Sequence, residues 1–356
     1  MHMADALVST AVGGTMWAVS GGLLAYCAGR VKRSVRDDLV PMMGVLGAFI
    51  FAAQMINFSI PGTGSSGHLG GGLILAALLG PYAAFLVMAS VLSVQALFFA
   101  DGGLLALGCN IFNLGFFPAF VAYPLIYRVV VGDRTGSLRG WIGAIAAAVA
   151  GLQLGAISVV VETRASGITD LPFGAFALLM LPIHLAIGVV EGLATAAVVS
   201  FVARARPEVL AAAPGPKGAV GLRPVWIGLA VAAIVLGGVA SWFASTHPDG
   251  LEWAIGKVTG REEVAGPAAG VHQDLAGIQE KTALLPDYGF KPADGEPARG
   301  EADAPEAAPW PAVSAGTSLA GLVGGGMTLA LAGLAGAVLR LRSGSFGRGG
   351  DDTSKE

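Results

Sequence analysis

The sequence is poor in charge. Asp, Glu, Lys and Arg make up 13% of its 356 residues, for a formal net charge of −3. A soluble domain carries about 25%. No basic excess exists to engage a phosphate backbone, so nucleic acid is not an expected partner. Cysteine is scarcer still. Cys27 and Cys109 both fall in apolar runs, which argues against a disulfide framework or a cysteine zinc site. No GxxxxGK[ST] occurs, so ATP is not hydrolysed through a P-loop of this chain, and HExxH is also missing. No Lys or Arg precedes Arg30. A signal peptide needs a basic region ahead of a short apolar core. The run at 7–29 is therefore read as a retained helix, long enough to cross about 30 Å of hydrocarbon.

What the chain has instead is apolar length, with 54% hydrophobic residues. Candidate spans fall at 7–29, 39–57, 69–79, 82–100, 104–127, 141–161, 172–202, 225–244 and 312–339. This pattern predicts an all-α polytopic membrane protein embedded in the lipid bilayer. The stretch 69–79 is short for a crossing of its own, and charge decides its reading. If 69–79 and 82–100 are two passes broken at Gly80-Pro81, the segments 30–38, 128–139, 204–223 and 340–356 share one side and hold 15 of the 21 Lys and Arg. The positive-inside rule favours that arrangement. It yields nine helices, with the amino terminus outside and the carboxyl terminus cytoplasmic. Small residues, including 54 glycines, allow such helices to pack closely in lipid.

Two modules are expected. Residues 1–206 hold seven helices, and 207–224 form a Pro-, Gly- and Ala-rich cytoplasmic linker. Residues 225–342 form a two-helix accessory module around a long extracytoplasmic loop, 245–311, and 343–356 form a cytoplasmic tail. The loop carries 12 acidic and 5 basic residues and eight prolines, a composition that predicts partial disorder.

The predicted outer face collects His2, the loop NFSIPGTGSSGHLGGG with His68, and the turn Asp101-Gly102-Gly103. A free amino terminus followed by histidine is a chelator. The Met1 amine, the His2 backbone nitrogen and the His2 imidazole close adjacent rings on one metal, and His68 completes a plane. Planar nitrogen coordination suits Ni(II) or Cu(II). Read from position alone, His2 is equally a frayed, solvated terminus. GTGSSG at 62–67 matches GxGxxG, but the dinucleotide fingerprint requires a βαβ unit, and helices are predicted on both sides. Asn110, Asn113, Gln153, Glu162, His184 and Glu191 fall inside predicted spans. There ionisable groups mark function or interhelical hydrogen bonding. His184 and Glu191 share a helix face. By its place in the span, His184 is expected roughly 18 Å below the outer end of its helix, too deep to ligate a metal near the surface.

The stretches MHMAD, GTGSSGHLGGG, LLGPYAAFLVMASVLSVQALFFADGGLLALGCNIFN and HLAIGVVEGLAT resemble the CbiM/NikM substrate-binding components of energy-coupling factor (ECF) importers for cobalt and nickel. THPDGLEWA at 246–254 and LLPDYGF at 284–290 resemble a NikN-like PDGLE accessory subunit fused behind them. The resemblance implies a seven-helix S-component bundle in a bacterial or archaeal cell membrane, with Met1, His2 and His68 as metal ligands. Asp101, Asn110, Asn113, His184 and Glu191 would support or gate the site. It also implies Ni(II) or Co(II) as transported substrate, no organic cofactor, a transmembrane coupling protein, and two separate ATPase subunits. Ala6 departs from the glycine of the family's MHIxDG opening, which loosens the turn after Asp5. Two rivals remain. An autonomous channel or secondary permease would show a lined pore or repeated halves. A metallohydrolase would need an open coordination position beside a general base.

Overall fold

A computed structural model describes residues 2–34, 39–132, 134–205, 223–291 and 310–344. The predicted linker falls almost wholly outside these residues, as does the carboxyl-terminal tail. Helices dominate: α1 Thr10–Ser34, α2 Leu39–Gln54, α3 Gly72–Leu79, α4 Pro81–Phe99, α5 Leu107–Val131, α6 Leu138–Ser166, α7 Phe173–Ala205, α8 Arg223–Gly238, α9 Gly250–Thr259, α10 Val271–Thr282 and α11 Ala315–Gly344. Six of them (α1, α4, α5, α6, α7 and α11) are long and apolar enough to cross a membrane, while α2 and α8 are apolar but shorter. Large apolar side chains stay exposed along these helices, among them Leu125, Leu178, Ile227 and Leu334. Such a surface fits lipid, not water.

The break between α3 and α4 lies where the charge pattern placed it. Gly80 caps α3 at φ 78° and its N–H bonds to Ala76 O, and Pro81 opens α4. The positive φ suits glycine, and proline at the first helical position sacrifices no hydrogen bond.

Inside α5, Phe112–Tyr127 is wound as a π-helix containing Pro118 and Pro124. Proline lacks the amide that an α-helical ladder needs, and wider winding is a recurrent way to absorb the gap. The helix also runs on to Val131, beyond the expected end at 127.

Helices α6 and α7 pair along their length, and α5 lies against α6. A Cβ at Gly188 would stand 2.8 Å from Val149 Cα, so this contact is close enough to require glycine. Helices α8 and α11 both pack on α2, joining the second module to the first.

Two short strands stand at one end of the bundle. β1 Phe58–Ile60 and β2 Ser65–Gly67 pair antiparallel in the register Ser59↔Ser66. The GTGSSG glycines Gly62 and Gly64 make the intervening turn, both at φ 77°. The motif is thus the tip of a hairpin, with no βαβ unit.

Much of the segment between α8 and α11, for which composition predicted partial disorder, is ordered. Over 239–291 it folds into α9, α10 and short turns against the first module, whereas 292–309 lie outside the described residues. Backbone bonds explain the order. Ser245 N donates to Asn57 O at 2.7 Å, Ser66 N to Pro248 O at 2.8 Å, and Leu284 N to Phe98 O at 2.9 Å. Composition alone does not register such partners.

Candidate metal centre

Residues 2–8 run against the start of α5 and the turn before it. Met3 N donates to Asn110 Oδ1 at 2.8 Å. Asn110 Nδ2 returns a bond to Met3 O at 3.1 Å, and Gly103 N reaches the same oxygen at 2.9 Å. Met3 is fully buried. Asn113 lies beside its sulfur and donates to Glu162 Oε2 at 2.7 Å. Asp5 Oδ1 accepts Ala106 N at 2.9 Å. His2 is consequently held, not frayed, with 6% of its side chain exposed.

Gly103 is required by this threading. A Cβ there would overlap Asp5 Oδ1 and Asp5 N. Gly103→Ala should cost about 1–3 kcal/mol through overpacking. A fall in the thermal midpoint of the detergent-purified protein is the check, and an unchanged midpoint would show that this contact yields.

The imidazole of His2 places Nδ1 3.1 Å from Asp101 Oδ1, while its Nε2 is buried without a hydrogen-bond partner. Asp101 also accepts the Tyr288 hydroxyl. Burial alone would raise the Asp101 pKa, but His2, the Tyr288 hydroxyl and His68 outweigh it and hold the carboxyl well below its usual range. Burial and the adjoining carboxylate raise the Tyr288 phenol, keeping it a donor.

His68 follows β2. Its Nδ1 lies 3.0 Å from Leu69 O. A carbonyl only accepts, so Nδ1 carries the hydrogen and Nε2 the lone pair. Burial, with His2 alongside, lowers the His68 pKa to about 4. The ring is neutral at physiological pH, and a metal displaces no proton from it. The His2 and His68 rings stack, 5.0 Å between centroids and 11° between planes. Lone pairs in parallel planes do not converge, so one ring must tilt before both reach a single ion.

The loop behind His68 is fixed at Gly70. Its N–H donates to Glu191 Oε2 at 2.8 Å, and its carbonyl accepts Gln54 Nε2 at 2.8 Å. Gln95 in turn donates to Gln54 Oε1 at 2.9 Å. Glu191 therefore acts on the loop that carries His68.

The second module closes over this end. Ser66 Oγ donates to His247 O at 2.7 Å, and Trp253 Nε1 to Thr63 O at 3.0 Å. Gln279 Nε2 donates to Gly102 O at 2.8 Å. Asp249 caps α9, accepting Leu251 N at 2.7 Å and Glu252 N at 2.9 Å. Beneath lies a small cavity whose lining includes Gly67, His68, His184, Ile187, Asp249 and Gly250.

His184 corrects the depth argument. It was expected too far below the site, yet it lines the same cavity as His68. Gly67 packs against Ile187 and Gly70 is bonded to Glu191, so the loop carrying His68 meets α7 at the level of His184.

The three connections predicted to share a face do converge: His2, His68 and Asp101 meet, with Asn110 and Asn113 holding the adjacent Met3. Met1 lies outside the described residues. Among the described residues, no three His, Cys, Asp or Glu side chains form a ready-made metal cluster. Tyr288, Asp249, Gln54 and Gln95 were not singled out from sequence. Tyr288 and Asp249 stood within quoted motifs, LLPDYGF and THPDGLEWA, but Asp101, which Tyr288 meets, is far away in the chain, and only the fold puts Asp249 in one cavity lining with His68 and His184.

Comparison with known proteins places these features. The family described as "Cobalt uptake substrate-specific transmembrane region" (CbiM) matches residues 2–209, and the PDGLE domain family matches 223–341. The "Putative fused nickel transport protein NikMN" of Archaeoglobus fulgidus is 34% identical over 93% of this chain and 96% of its own length. The "Fused nickel transport protein NikMN" of Rhodobacter capsulatus is 30% identical over 81% and 88%. A crystal structure of a "transition metal transporter" superposes with a TM-score of 0.51 at 30% identity, covering 58% of this chain and 95% of that one. With more than half of its length matched by the first of these families, the chain belongs to the CbiM family and carries a PDGLE domain in the same polypeptide.

Proposed function

We propose that this chain is the metal-binding and translocation component of an ATP-driven importer of the energy-coupling factor type. It takes Ni(II) and Co(II), with nickel slightly preferred. The observation that carries this reading is the buried, stacked His2–His68 pair beside Asp101. Imidazole nitrogen suits these ions. The fused nickel transporters that align along most of the chain support the same substrate class.

The proposed ligands are the Met1 amine, His2 and His68. In the arrangement described above, His2 Nδ1 faces Asp101. Closing a chelate ring through Nδ1 thus requires the imidazole to exchange the carboxylate for the metal. Asp101 holds the ring while the site is empty, and Tyr288 holds Asp101. Residues 1–206 form the binding module, and the PDGLE module covers it. The site end faces outward, with the amino terminus outside and the carboxyl terminus cytoplasmic, in a bacterial or archaeal cell membrane. A transmembrane coupling protein and two ATPase chains supply the drive, since this chain has no P-loop. The chain is a transport component and not an enzyme.

The test is flux. Liposomes holding this chain alone under a nickel gradient should pass little metal, and those holding the chain with its coupling protein and ATPases should import on ATP addition. Equal ATP-independent fluxes in both preparations would overturn the importer reading in favour of a channel.

A further inference from the structure

We propose that His184 is a second station for the transported cation, a nitrogen ligand that receives the metal from His68 on its way into the bundle. This rests on the reading of the chain as a Ni(II)/Co(II) transport component and adds to it a residue and a route.

Three observations meet at His184. First, the ring is buried, 1% exposed, and its Nε2 has no hydrogen-bond partner. A buried polar atom left unpaired calls for an explanation. Second, Nδ1 lies 2.8 Å from Met180 O. That carbonyl only accepts, so Nδ1 carries the hydrogen, and in the neutral ring Nε2 keeps the lone pair. An imidazole tied through one nitrogen to a backbone carbonyl, with the other presented, is the usual arrangement of a ligating histidine. His68 shows the same arrangement through Leu69 O. Third, His68 and His184 line one cavity together with Asp249, whose carboxylate caps α9. A divalent cation there lies among two histidines and an acidic residue.

Gly250 shapes this cavity. A Cβ on it would stand 2.6 Å from Ile183 Cγ2 and 3.4 Å from His184 Cε1. The missing side chain lets the start of α9 sit directly over the His184 ring without filling the space beside it. No three donors are grouped there as a finished site among the described residues, which suits a place of passage. His68 is shared between two neighbours, stacked on His2 above and facing the cavity with His184 below. Tilting its ring moves the donor from one to the other.

The full chain is used to test this. His184→Gln retains a side-chain donor for Met180 O but offers a poor ligand, whereas His184→Cys offers a thiolate. In Co(II) titrations, His184→Cys should develop a near-ultraviolet thiolate-to-cobalt band beyond the parent spectrum, which already contains Cys27 and Cys109. In cells carrying the complete transporter, His184→Gln should lower radiolabelled nickel uptake by roughly tenfold or more, the scale on which a lost supporting contact acts, and beyond any change in its equilibrium affinity. A His184→Cys protein that binds cobalt without the new band overturns the proposal. So does His184→Gln taking up nickel at the parental rate. Neither outcome touches the His2–His68 site, whose own failure would appear as undiminished nickel binding by His68→Ala.

Discussion

Inserting one alanine between Met1 and His2 should abolish high-affinity nickel binding about as completely as His68→Ala. The fold makes this a clean experiment. Met3 is bracketed by Asn110 and Gly103, and Asp5 is tied to Ala106. An insertion ahead of His2 leaves those anchors in place and keeps the imidazole beside Asp101 and His68. What it moves is the terminal amine, one residue further from the metal, while the chelate ring between amine and His2 is enlarged. An amino-terminal tag makes the same point differently, since it converts the basic amine into an amide. The expected loss exceeds the roughly 10–100-fold that removal of a supporting residue brings, and Asn113→Ala, which bears on Met3 and not on the metal, supplies that lower scale. Calorimetric Ni(II) titration of detergent-purified variants gives the answer. Parental affinity in the insertion variant, with His68→Ala inactive, would remove Met1 from the ligand set and leave the imidazoles as the centre of the site.

The parts of this structure that were legible in the sequence are those set by local chemistry. A glycine followed by proline had to end one helix and open another, and it does so at Gly80-Pro81. Charge asymmetry separated α3 from α4 where hydropathy alone left them joined. His2, His68 and Asp101 were placed on one face by counting crossings, and they meet. What was not legible depends on contacts between distant residues. The acidic, proline-rich segment was expected to be partly disordered, and composition could not show which part is ordered, since it is blind to backbone partners such as Phe98 O and Asn57 O that hold 245–291 in place. His184 was placed too deep because depth was measured from the helix end. The loop carrying His68 reaches α7 at Ile187 and Glu191, level with His184. The link from Tyr288 to Asp101 spans 187 positions, and no spacing rule reaches that far. The π winding of α5 needed a structural answer to Pro118 and Pro124 that periodicity does not specify.

Removing the PDGLE module should leave nickel binding by residues 1–206 detectable while uptake falls at least about tenfold, the size of effect expected when supporting contacts are lost together. The contacts given up are specific. Tyr288 no longer donates to Asp101, so the carboxylate facing His2 loses a partner. Gln279 no longer holds Gly102, and Ser66, two residues before His68, loses the carbonyls of His247 and Pro248. None of these groups is a proposed ligand, which is why binding weakens without vanishing. The cavity beneath His68 also loses its Asp249 and Gly250 wall, so an ion leaving the upper site is no longer shielded from water on its way down. A milder version keeps the whole chain. Gly250→Val drives a branched side chain against Ile183, where even a Cβ stands 2.6 Å from Cγ2, and lifts the start of α9 from α7. Uptake should then fall with affinity changed less. Calorimetry on the truncated and substituted proteins, paired with radiolabelled nickel uptake by cells carrying the complete transporter, separates the two effects. Loss of all binding from a truncated protein that still unfolds cooperatively would mean that the second module supplies a ligand. The division between a module that binds and a module that covers would then fall, and Asp249, already at the cavity, would be the first residue to test in that role.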